Sequence, residues 1–111
     1  MSMDWPKEGS STSRPPLLDG TNYPYWKARM RAFLKSIDER VWQTVVSGWT
    51  PPTVMTGELT IPKPISAWDR VDYDNCGWNS KAINAIYNGV TAEEFRRISH
   101  CELAKEAWDI L

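Results

Sequence analysis

Asn22-Tyr23-Pro24-Tyr25-Trp26-Lys27-Ala28-Arg29-Met30-Arg31-Ala32-Phe33-Leu34-Lys35-Ser36-Ile37 is the stretch that decides the fold class. Trp26, Met30, Phe33, Leu34 and Ile37 recur at helical spacing and make one apolar face. Proline near the first helical position loses no hydrogen bond there. The pattern predicts a helix over 24–36, with Lys27, Arg31 and Lys35 aligned on its other side.

The same period continues downstream. Asp38-Glu39 opens a second helix over about 39–47, with Val41, Trp42, Val45 and Val46 apolar and Gly48 as its stop. Ser66 is the expected N-cap of a long third helix, 66–88, whose apolar side runs from Trp68 and Val71 through Trp78 and Ala82 to Ile86, with a bend allowed at Gly77. Asn88-Gly89 closes it. Thr91 with Glu94, and Ser99 with Glu102, read as capping boxes opening two short helices, the first burying Phe95 and Ile98. The last carries Leu103, Ala104, Ala107, Trp108 and Leu111 inward. It runs to the final residue without a C-cap, which suggests a cut chain. Between helices two and three, residues 48–65 hold four prolines and two glycines, which excludes a helix. A hairpin of Val54-Met55 and Leu59-Ile61 about Gly57 is conceivable there, but a lone hairpin is marginally stable, so a long loop is the main expectation. Residues 1–16 are rich in Ser, Pro and Thr and read as a flexible tail before a domain at 17–111. The expectation is an all-α bundle of about five helices.

Composition narrows the function classes. The chain has 111 residues, enough for one domain, and a formal net charge of -1, so no global cationic field attracts nucleic acid or a membrane surface. Two cysteines make no disulfide framework, and the N-terminus has no signal-peptide core; a cytoplasmic protein without a membrane span is expected. Cys76, His100 and Cys101 offer no C-x-x-C or H-x-x-x-H spacing. On a helix, the adjacent His100 and Cys101 would diverge by about 100°, so neither a metal site nor a Cys–His nucleophile is expected. Phosphate loops and hydrolase elbows are absent from the text, so no enzyme and no cofactor are expected.

Seven tryptophans are the compositional oddity. Trp26, Trp42, Trp68 and Trp108 fall on apolar faces and are expected to converge in one core. Trp49, beside Pro51-Pro52, is the candidate for an exposed anchor. Lys27, Arg31 and Lys35 are read first as a solvated face, then as subunit contacts, and third as RNA phosphate contacts. Residues 24–40 carry five cations and two anions, whereas 66–75 carry one cation and three anions, a separation that suits contact between copies.

Leu18-Asp19-Gly20-Thr21-Asn22-Tyr23-Pro24-Tyr25-Trp26-Lys27, with Met30 and Phe33-Leu34, resembles the opening of Gag polyproteins of plant copia-type LTR retrotransposons. Val41-Trp42, the Trp68 segment and Ala104-Lys105-Glu106-Ala107-Trp108-Asp109-Ile110-Leu111 resemble that family in the same order. The resemblance implies the N-terminal half of a capsid-like region, a helical domain whose copies assemble into a shell around RNA. It also implies that RNA is gripped mainly by a downstream zinc knuckle, a motif not found in these residues, so RNA contact would be indirect. Two alternatives stay open: a domesticated Gag module binding a peptide between helices, and an RNA-binding domain using the first helix.

Overall fold

The computed structural model describes residues 14–111. The expected flexible tail therefore lies outside the described residues, except for Arg14, Pro15 and Pro16. Five α-helices and one two-stranded hairpin make up the described chain: α1 (Tyr23–Ile37), α2 (Glu39–Ser47), β1 (Thr53–Thr56), β2 (Leu59–Pro62), α3 (Arg70–Asn88), α4 (Ala92–Ile98) and α5 (Ala104–Ile110). The molecule is mostly helical with a small sheet, so the all-α expectation needs that one amendment.

Most of the apolar periods named above become the core, whereas Ile37, Val46, Val71 and Phe95 stay exposed. Trp26, Met30 and Leu34 of α1 meet Val41 and Val45 of α2, Ala82, Ala85 and Ile86 of α3, Ile98 of α4, and Ala104 and Ala107 of α5. Helix α2 packs on α1, α3 and α5, and α5 closes against α3. Asp38 separates α1 from α2: its extended backbone ends the first helix and its carboxylate accepts from the Arg40 N–H at 2.8 Å to start the second.

The segment before α1 belongs to the body. Pro16 and Leu18 are buried, and Leu18 forms a parallel bridge with Val90. The Leu18 N–H donates to the Gly89 carbonyl at 2.7 Å, and the Thr91 N–H returns to the Leu18 carbonyl at 3.1 Å. Trp26 Nε1 donates to the carbonyls of both Pro16 and Gly89, at 3.0 and 2.9 Å. Gly89 is the C-cap of α3, as expected, and it also makes room for this approach. Its φ is -102°, open to any residue, but a Cβ there would sit 2.4 Å from Met30 Cε and 2.8 Å from the Pro16 carbonyl oxygen.

The caps of three helix starts differ from expectation. Residues Ile65–Ala67 form a 3-10 turn, so Ser66 caps nothing. Asp69 caps α3 in a reciprocal box with Asp72. The Thr91–Glu94 box does not form; Glu94 instead pairs with Arg97 at 2.7 Å. The Ser99–Glu102 box does not form either, because Asn79 Oδ1 accepts from the Ala104 N–H at 2.8 Å and starts α5 there. Gly77 lies inside α3 without interrupting it.

Residues 53–62 form the hairpin rather than the long loop that was mainly expected. Val54 opposes Ile61, and Thr56 opposes Leu59 across Gly57-Glu58. Gly57 has φ of +66° and, among the described residues, no non-glycine residue has positive φ, so Glu58 does not; this is the pattern of a type II′ turn whose twist suits a tight hairpin.

Candidate interaction surface

Three of the four expected core tryptophans converge. Trp26 stacks on Trp108 with centroids 5.6 Å apart, and Trp42 meets Trp108 edge-on at 5.4 Å. Trp68 does not join them. It precedes α3 rather than riding on it, its Nε1 donates to the Lys63 carbonyl at 3.1 Å, and its ring packs edge-on against Tyr73 at 5.3 Å. Helical spacing placed Trp68 on the core face only while the helix was taken to begin at Ser66.

The basic line along α1 is not a uniform solvated face. Lys27 folds onto Trp108: Nζ lies 4.0 Å from the ring centroid and donates to the Trp108 carbonyl at 3.2 Å. Lys35 lies 3.9 Å from Glu39, both exposed. Arg31 is exposed. The acidic segment meant to complement this line is also occupied from within. Asp72 binds Lys63 at 2.6 Å, Asp69 caps α3, and Asp74 stands 3.9 Å from Arg70. Lys63 and the reciprocal cap hold the Asp72 carboxyl below its ordinary value.

Trp49 is half-buried between two shallow depressions rather than standing free. One, of about 560 Å³, lies between the end of α2 and α5, and the other, of about 310 Å³, reaches Arg40, Asn75 and Trp78. A third groove, of about 520 Å³, has Phe33, Ile37 and Ala85 among its walls and Arg14, Lys81, Asn84 and Asn88 at its edges.

The hairpin and its stem, absent from the expected site residues, carry several of the exposed large apolar side chains. Met55 is 65% exposed, Leu59 68%, Ile65 63% and Val71 62%, with Ile61 and Tyr73 also open. Isolated exposed apolar residues are ordinary, but here the register sets Leu59 and Ile61 on one face of the ribbon together with Val54, and Met55 on the other. The stem is fixed by Lys63–Asp72, by the Trp68 indole on the Lys63 carbonyl, and by Tyr73 Oη donating to the Ile65 carbonyl at 3.4 Å. A firm stem carrying an uncovered apolar ribbon is suited to contact with another molecule. The sequence signal for it was present in the alternation of 53–61 and the glycine at 57.

His100 and Cys101 also depart from expectation. They lie in the turn after α4 rather than on a helix, so their side chains converge, with His100 Nε2 3.8 Å from Cys101 Sγ. Among the described residues, no helix is long and apolar enough to cross a membrane. Compared with known protein families, with curated proteins and with solved structures, the chain finds no match.

Proposed function

We propose that this chain is a structural assembly domain that associates with further copies of itself, as the capsid-like region of the Gag polyproteins it resembles would do. The observation that carries the reading is the apolar ribbon on its anchored stem. Both strands are edges, and a two-stranded sheet leaves unpaired backbone groups on each side. Residues 53–62 contain one charged side chain, Glu58, so two ribbons can meet without strong repulsion. An identical surface on each copy can close a two-fold contact. Lys27 has an intramolecular role on Trp108, which moves the weight of the reading from the basic line to the ribbon.

Concentration-dependent amide shifts by NMR test it. Weak self-association should move resonances of 53–65 and little else, and Leu59→Glu should abolish the movement with the fold intact by circular dichroism. Unchanged 53–65 resonances up to millimolar concentration, about the range of the weakest useful contacts, would remove the reading. A second reading, capture of a peptide, draws on the groove between α1 and α3, whose Arg14 and Lys81 favour an acidic segment. Shifts confined to Phe33, Ile37 and Ala85 on adding an acidic peptide would support it instead.

A further inference from the structure

Around the turn between α4 and α5, three side chains of different chemistry point at one place. One donor atom from each of His100, Cys101 and Glu106 lies within 4.8 Å of the other two. His100 is the sole histidine of the chain. Cys101 is buried, whereas His100 and Glu106 are exposed at the rim, so the thiol forms the floor of a site open to solvent. Among the described residues His100 has no hydrogen-bond partner besides Cys101.

The turn is held from beneath by Tyr87 and Asn79. Tyr87 Oη donates to the Cys101 carbonyl and reaches the Ile98 carbonyl at 3.4 Å. Asn79, a buried polar residue, donates Nδ2 to the Glu102 carbonyl at 2.8 Å and accepts from the Ala104 N–H. These bonds fix the backbone on both sides of His100-Cys101 and set the start of α5, two residues before Glu106. The donor positions are thus preorganised by the fold.

We propose that His100 Nε2, Cys101 Sγ and a Glu106 carboxylate oxygen bind Zn²⁺, with the fourth position left to water. Nitrogen, sulfur and oxygen donors are the set that zinc accepts, and three protein ligands with one open position is one of its usual arrangements. With Zn–S near 2.3 Å and Zn–N near 2.0–2.1 Å, tetrahedral geometry separates S and N by about 3.5 Å. The observed 3.8 Å is close to that span, and Glu106 needs only a side-chain adjustment. On binding, the S–H bond breaks, the S–Zn bond forms and the proton leaves to solvent. The ion would clip α4 to α5 at a joint where α4 itself buries just Ile98.

Cobalt titration of the whole chain, followed by zinc competition, tests this. Co²⁺ should give a thiolate-to-metal charge-transfer band and four-coordinate visible bands, which Zn²⁺ then abolishes. Cys76→Ser should keep the band, and Cys101→Ser should lose it. His100→Ala and Glu106→Gln, both at exposed positions, should weaken apparent affinity by about tenfold or more, since a direct ligand matters at least as much as an outer partner. Zn²⁺ should raise the melting temperature of the parent and not of His100→Ala, which keeps the test decisive even if Cys101→Ser folds poorly. Absence of the thiolate band in the parent, its loss in Cys76→Ser, or an undiminished band and affinity in His100→Ala would each overturn the proposal.

Discussion

Trp108 ties α5 to both α1 and α2. It stacks on Trp26, receives the edge of Trp42 and lies under the Lys27 ammonium. Each aromatic pair contributes about 0.5–1.5 kcal/mol beyond area burial, so Trp108→Ala should destabilise by about 3–5 kcal/mol in denaturant unfolding. A loss well under 1 kcal/mol would show that these contacts are replaceable. Gly89→Ala is a sharper test at the same scale. The added methyl would collide with Met30 and with a carbonyl that Trp26 uses. We expect a loss of about 1–3 kcal/mol or more, typical of overpacking, together with a changed Trp26 indole N–H resonance. Sequence reading placed Trp26, Trp42 and Trp108 correctly because α1 and α2 keep their expected spans and the α5 face keeps its spacing despite a later start. It found the helix stop at Gly89 but not the close approach from residue 16, which leaves no trace in local spacing.

At the scale of elements, caps and stems decide the outcome. The Arg40 guanidinium, then the Arg40 N–H, hold the Asp38 carboxyl down to about 2 from its ordinary 3.8. A lowered carboxyl stabilises the fold above the ordinary carboxylate range, and that contribution disappears as pH falls through about 2. Carbon-13 titration should therefore find Asp38 ionised well below other carboxyls, and Asp38→Asn should remove the corresponding acid limb of stability. The hairpin stem gives a second expectation. Trp68→Ala should speed amide exchange across 53–62 while leaving α1 and α5 protected, because Trp68 ties the stem and takes no part in the core. Loss of protection throughout would return Trp68 to the core. The α1 and α2 spans were legible nearly to the residue, since proline, Asp38 and Gly48 punctuate them locally. Helix starts at 70 and 104 were not: Ser66 stood ahead of the Asp69–Asp72 box as the expected cap, and Asn79 starts α5 from a distance. The hairpin was legible as a possibility and was set below a loop, for a lone ribbon has little reason to persist without its anchored stem. The convergence of His100 and Cys101 was hidden by treating their segment as helix.

For the whole molecule, charge is managed internally. Lys27, Lys63, Arg40 and Arg97 all find partners within the chain. Reversing Lys27 to Glu should therefore lower stability through Trp108, whereas Arg31→Glu, exposed, should leave melting within about 0.5 kcal/mol of the parent. If contact between copies ran through the basic line, Arg31→Glu would weaken self-association as strongly as Leu59→Glu; we expect Leu59 to dominate.

The stacked Trp26–Trp108 pair has an optical consequence. Two indoles held 5.6 Å apart at an interplanar angle of 29° share their excited states, and the Trp42 ring lies within reach of the same coupling. Such an arrangement produces a paired positive and negative band in circular dichroism, distinct from the helical spectrum. Its amplitude should vanish in Trp108→Phe and stay in Trp68→Phe, so the light absorbed by three rings reports directly on whether α1, α2 and α5 have met.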